Sequence, residues 1–287
     1  MIAITGATGT VGKALLSQLL DDRRPVRALV RDPRRLGPYR VRVQLAFSDL
    51  GDPHGLRHAL RGADTVIHLA ATIRDQPPRR VEEVNGLGTL RLLRAAERAG
   101  VERFVFFSAL GATPFQRTRF FRSKALAERG VRESPLRTTI FAPSIVYDRD
   151  DPWVRLMRRL ALLPVLPVSG SGQARYQPIW AHDVARCVIA SLDGNADARY
   201  ELAGPEVLSY EQIARSIAAA AGRHRPVVHV PLPLVRSGLI WLRHIFGQAM
   251  FATWEEAELM EIPMLSSRGA ADAETLGVAP KAMRDVL

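Results

Sequence analysis

The sequence predicts an α/β fold, a doubly wound parallel sheet with a smaller, interleaved C-terminal lobe. Three observations carry that prediction. Short apolar strands and amphipathic helices alternate at regular spacing from the first residues onward. A glycine-rich turn stands between the first strand and the first helix. The regularity loosens after Pro143, where Pro152, Pro164, Pro167, Gly170 and Gly172 punctuate shorter segments.

The elements follow in order. Residues 2–5 form an apolar first strand, and 11–20 carry apolar residues at helical spacing. Residues 26–30 and 41–46 read as the second and third strands, with a short helix over 54–60. Residues 65–70 are the fourth strand. A long helix over 81–99 places Leu87, Leu90 and Leu93 at helical spacing and ends at Gly100, a residue suited to the left-handed C-cap. Residues 103–107 and 138–141 complete six strands, with a helix over 119–132 between them. Later helices are expected over 183–192 and 210–221. Residues 1–150 are read as the nucleotide-binding unit and 151–287 as the smaller lobe, partly interleaved with it.

Gly6, Gly9 and Gly12 occupy the strand–turn–helix junction. The chemistry of a bound pyrophosphate asks for each of them. Gly6 permits the tight turn, Gly9 lets backbone approach the anion, and Gly12 lets the helix pack closely on the sheet. The helix start, with Thr8, Thr10 and Val11, then offers unpaired N–H groups and partial positive charge. This is a Rossmann-type dinucleotide site. At the end of the second strand stand Arg31 and Asp32, with Arg34 and Arg35 after them. An arginine there receives a 2′-phosphate and an acid a 2′-hydroxyl. Arg31 comes first, which favours NADP(H); a role for Asp32 as ribose ligand, and hence NAD(H), stays open.

Bulk composition narrows the rest. The 287 residues are 47% hydrophobic and 24% charged, enough for a substantial core and unlike a disordered chain. One cysteine, Cys187, excludes an internal disulfide and a thiolate cluster. No metal site is expected. The apolar runs fall short of the ~18 residues of a membrane-spanning helix, and the strand pattern at the first residue leaves no leader, so a cytoplasmic chain is expected, with peripheral membrane contact open. The net charge of +11 comes with scattered arginines; only Lys13, Lys124 and Lys281 are lysines. Without a recognition motif this charge argues weakly for nucleic acid.

The residues also resemble the extended and atypical short-chain dehydrogenase/reductase families, nearest to the complex I nucleotide-binding accessory subunits and the NmrA-like proteins. The segment from Thr5 to Gly12 resembles their fingerprint, and Ser48-Asp49-Leu50 the segment whose acid meets adenine. His68-Leu69-Ala70-Ala71 resembles the stretch lining the cofactor, and 106–111 the strand carrying an active-site serine, here Ser108. Pro143-Ser144 resembles the turn that meets the nicotinamide; 177–184 and 200–205 match further landmarks. The likeness extends to about residue 230.

That resemblance implies a Tyr-x-x-x-Lys pair one helical turn apart, in which tyrosine exchanges the proton and lysine holds the ribose and lowers the tyrosine pKa. Lys124 matches the lysine, but Phe120 holds the tyrosine position. A phenyl ring has no exchangeable proton. Lys124 in a chain that otherwise uses arginine supports a specific ribose contact. Tyr147 is the preferred substitute donor, weighed against a packed aromatic on the cleft wall. His68 reads as a buried, hydrogen-bonded strand residue, and Asp183 as a helix-start acid beside His182. The 234–246 segment is amphipathic and basic: a lid, a membrane-surface helix or a packed helix.

The leading reading is an NAD(P)(H)-binding protein lacking the usual tyrosine, with a regulatory or accessory role. The alternatives are an active NADP(H)-dependent reductase of a carbonyl or of a lipophilic, quinone-like substrate, and a basic protein of nucleic-acid or membrane surfaces.

Overall fold

The computed structural model describes residues 1–76, 79–194, 198–235, 237 and 254–287. The expected amphipathic segment 234–246 therefore lies almost wholly outside the described residues.

Seven strands form one parallel sheet: β1 (Ile2–Thr5), β2 (Val26–Val30), β3 (Gln44–Phe47), β4 (Thr65–His68), β5 (Arg103–Phe107), β6 (Arg137–Pro143) and, much later in the chain, Ala198–Leu202. From one edge the order is Ala198–Leu202, β6, β5, β4, β1, β2, β3. The direction of winding reverses between β1 and β4, and a crevice opens at such a switch point outside the carboxyl ends of the strands. β1 pairs in register with both neighbours, Ile2 with Val26 on one side and Thr65 on the other.

Helices cover both faces. On one, α1 (Thr10–Asp21) buries Leu15, Leu16 and Leu19 against β1 and β2, together with the helix Ala181–Leu192. On the other, α2 (Pro53–Ala59), α3 (Gly88–Ala99) and α4 (Arg119–Arg132) pack Leu56, Leu92, Leu93 and Val131 against Val66, Phe104 and Phe106. Truncating one of these leucines to alanine costs about 2–5 kcal/mol. Gly100 takes the left-handed conformation (φ 72°) at the end of α3, as the sequence predicts.

Three details depart from the sequence reading. The third strand begins later, because Asp32 caps a 3-10 turn over Pro33–Val41 by accepting from the Arg34 N–H at 3.0 Å. The long helix expected over 81–99 widens into a π turn at Glu83–Leu87, where Asn85 turns inward and brackets Thr72. Its amide accepts from the Thr72 N–H at 2.8 Å and donates to the Thr72 carbonyl at 2.7 Å. The seventh strand, Ala198–Leu202, has no clear apolar alternation, because it sits at a sheet edge with intermediate or exposed side chains up to Leu202.

The remaining elements include β7 (Val146–Tyr147), α5 (Pro152–Leu160), β8 (Leu166–Ser169), β9 (Arg175–Tyr176), β10 (Ile179–Trp180), α6 (Ala181–Leu192), β11 (Ala198–Leu202, the edge strand), β12 (Leu208–Ser209), α7 (Tyr210–Ala220) and β13 (Val227–Val230). A separate apolar cluster joins α5, α7 and β8 through Val154, Met157, Leu166, Ile213 and Ile217.

Candidate dinucleotide site

A cavity of about 580 Å³ lies at the carboxyl ends of β1, β2 and β4. The glycine turn forms its floor. Gly6 is left-handed (φ 73°), and a Cβ there would meet the Ala70 N at 2.5 Å. A Cβ on Gly12 would meet the Gly6 carbonyl at 2.3 Å, so the helix–turn contact admits no side chain. Gly9 is the N-cap of α1, with no side-chain cap and no acid in the first turn. The first-turn N–H groups of α1 thus have no side chain competing for them, the arrangement that receives a phosphate.

The walls combine polar and apolar side chains. Thr8, Arg31, Asp32, Arg35, Asp49, Leu50, Ala70 and Ala71 all line the cavity. Asp32 spends its carboxylate on the Arg34 backbone and side chain, both at 3.0 Å, and the Arg34 hydrogen bonds hold it below the usual carboxylate range. Arg31 and Arg35 form no ion pair among the described residues. Asp49 accepts from the Gly51 N–H at 2.7 Å and pairs with Arg79. Burial pushes its carboxyl up, but those two partners outweigh burial and hold it low. Arg79, Gln76 and Arg91 also line the cavity and were not singled out from sequence; Arg79 reaches Asp49 across 30 residues, a pairing no local pattern announces.

Below the cavity a buried polar chain stiffens the strand ends. Thr5 Oγ1 and His68 Nδ1 are 2.6 Å apart, and His68 Nε2 and Thr89 Oγ1 are 2.8 Å apart. Thr89 donates to the Asn85 carbonyl at 2.6 Å, which leaves its oxygen to accept from Nε2–H, so Thr5 donates to Nδ1 and the imidazole is neutral. Burial, reinforced by the charge of Lys124, lowers the His68 pKa to about 3.

The residues expected at the nicotinamide end are arranged differently. Lys124 is buried and donates from Nζ to the Phe107 carbonyl at 2.6 Å, with its ammonium 5.0 Å from the Phe106 ring centre. Burial lowers its pKa to about 7, against the opposing charge of Glu128. Ser108 donates to Glu128, which also holds Arg199 at 2.9 Å and Arg132. Ser144 donates to the Met264 carbonyl at 2.7 Å and accepts from the Gln177 N–H at 3.1 Å. Pro143 is buried, its carbonyl accepting from the Leu110 N–H at 3.0 Å. Tyr147 is fully buried in the apolar cluster of α5, α7 and β8, its hydroxyl without a partner among the described residues and its pKa pushed up by burial. None of these five residues lines the cavity.

Phe120 packs with Phe121 and Ala109 against Leu259, Met260, Ile262 and Met264. Tyr176 and Ser144 pin that C-terminal segment through the Met260 and Met264 carbonyls, at 2.5 and 2.7 Å. No local signal in the sequence marks this covering segment. His182 and Asp183 begin α6, as the sequence suggests; Asp183 is buried and accepts from the Lys281 N–H at 2.7 Å.

A family profile described as NAD(P)H-binding matches residues 6–195. The chain is 30% identical over 237 residues to the NAD(P)H azoreductase of Xenophilus azovorans, covering 82% of this chain and 78% of that protein. It is 28% identical over 249 residues to the mitochondrial NADH dehydrogenase [ubiquinone] 1 alpha subcomplex subunit 9 of Arabidopsis thaliana, covering 82% of this chain and 61% of the subunit. Among solved structures, the UDP-glucose 4-epimerase of Thermus thermophilus, complexed with NAD, superposes with a TM-score of 0.76 over 99% of this chain and 96% of the epimerase, at 22% identity. That likeness concerns the fold.

Proposed function

The chain belongs to the NAD(P)H-binding family, and from that premise we propose that it is a cofactor-binding protein of the atypical short-chain dehydrogenase/reductase kind, which holds NADP(H) without the tyrosine-based proton transfer that the resemblance implies and acts in an accessory or regulatory role. The observation that carries this reading is Phe120. Where the proton donor would stand, a phenyl ring packs into an apolar cluster, and the neighbouring Lys124 and Ser108 are spent on internal partners.

The residues present fit the cofactor. The α1 start receives the pyrophosphate, Asp49 and Leu50 border the adenine, and Arg31, seconded by Arg35, receives a 2′-phosphate while Asp32 is engaged by Arg34. A bound reduced nicotinamide would supply a hydride. Ala70 and Ala71 line the cavity beside the glycine turn, and Phe120, four residues before Lys124, carries no exchangeable proton for an acceptor. The accessory role is supported by likeness to the plant NADH dehydrogenase subunit.

The likeness to an NAD(P)H azoreductase favours a second reading, an active reductase whose acceptor draws its proton from water. One experiment separates the two. Purified protein is analysed for co-purifying nucleotide and then assayed with NADPH against ketones, enones, quinones and azo dyes. Tight NADPH binding without steady turnover supports the accessory reading, and sustained NADPH oxidation with any acceptor overturns it.

A further inference from the structure

We propose that the surface built from α5, β8 and β13 docks on an anionic lipid bilayer. Residues 152–182 and 212–254 contain no Asp or Glu, in a chain with 29 acids among 287 residues. The fold joins these two stretches. β8 and β13 pair in parallel, Leu166 opposite Val227, and the Leu166 N–H donates to the Pro226 carbonyl at 2.9 Å. Arg225 Nε donates to the Ala161 carbonyl at 3.4 Å, which sets the 223–226 turn beside the end of α5.

The outer side of this strip is apolar and basic at once. Leu162 is 61% exposed, Leu163 45%, Val228 45% and Leu234 63%. α5 turns Val154, Met157 and Ala161 inward and leaves Arg155 exposed. Arg155, Arg158 and Arg223 form no ion pair among the described residues. Among the described residues, nearby carboxylates are engaged at the margin: Asp151 caps the start of α5, Glu211 is held by Arg215 at 2.7 Å and His229 at 3.0 Å, and Glu261 lies against Gly170.

Exposed leucines at the turn after α5, with arginines on α5 and in the 223–226 segment, match a bilayer surface. The side chains enter the acyl boundary while arginines meet headgroup phosphates. Nucleic acid would use the arginines but leave the leucines in water. No residue of the strip lines the dinucleotide cavity, whose lining residues run from Thr5 to Arg91.

The test is co-sedimentation of the full chain with vesicles of phosphatidylcholine alone, and with about one-third phosphatidylglycerol. Binding to the anionic vesicles should be at least about tenfold stronger and weaken with salt. Leu162→Asp with Leu163→Asp, and separately Arg155→Glu with Arg158→Glu, should each lose about tenfold. Arg94→Glu with Arg98→Glu on α3 should stay within about twofold, since these side chains are exposed but lie off the strip. NADPH binding and thermal unfolding report whether each variant is folded, and Leu163→Ser serves as a milder variant with a smaller loss in the same direction. Equal binding to both vesicle types, indifference to the leucine substitutions, or retention on duplex DNA in preference to vesicles would overturn the proposal.

Discussion

The two ends of the cleft are built on opposite principles. At the adenosine end, polar groups face a cavity: the capless start of α1, Arg31, Arg35 and the Asp49–Arg79 pair. The polar groups that the sequence leads one to expect at the nicotinamide end are turned inward. Lys124 serves the Phe107 carbonyl, Ser108 serves Glu128, and Ser144 anchors Met264. Polar groups that line a cavity stay available to solvent and ligand, whereas buried ones take internal partners, because an unpaired buried polar group costs about 1–3 kcal/mol. The lesson is that one sheet can leave some polar groups open to a cavity while it absorbs others into its core.

The contrast can be broken most forcefully at Gly12. Gly12→Val drives a side chain into the Gly6 carbonyl and the Ala7 backbone. NADPH affinity should fall by about 100-fold or more, with a stability loss of about 1–3 kcal/mol from overpacking. Calorimetric titration and thermal unfolding measure the two; unchanged affinity would remove the glycine turn from the binding site.

Lys124 offers the next largest effect. Its folded pKa is near 7 and its unfolded value near 10.5. Between those values the unfolded chain binds the extra proton, so the wild type gains stability as pH rises from about 7 to about 10.5 and carries the full penalty of burying the charge below 7. Lys124→Met lacks this term. Denaturant unfolding should show the difference between wild type and variant changing by a few kcal/mol across that window, with the wild type relatively better at high pH. A flat difference would mean that the ammonium is solvated rather than buried.

Arg31→Ala sharpens the adenosine end. Losing a guanidinium partner to the 2′-phosphate should weaken NADPH by about tenfold while NADH changes by less than about threefold. Equal losses for both would assign Arg31 to general electrostatics.

The smallest expected effect is Phe120→Tyr. NADPH affinity should change by less than about twofold, because Phe120 packs with Leu259 and Met264 and not on the cavity wall. Turnover should not appear, since a hydroxyl alone leaves Lys124 bound to Phe107. Appearance of carbonyl reduction would show that the nicotinamide end is poised and only the proton donor is missing.

Much of this molecule was legible in its residues. β1, β2, β5 and α4 coincide with the sequence expectation, because each is a short apolar run or an amphipathic turn bounded by clear breakers. The ligand class was legible for the same reason: a glycine turn between strand and helix is a local motif whose chemistry follows from backbone geometry alone. The placing of Phe120 four residues before Lys124 is likewise read directly from the sequence. Tertiary structure alone decided which way the polar side chains face. Whether Lys124 meets ligand or the Phe107 carbonyl, whether Asp49 finds Arg79, and whether residues 259–264 cover Phe120 all depend on contacts between segments far apart in the chain. No residue type or local spacing encodes those meetings, because they arise only when the packed sheet brings the segments together.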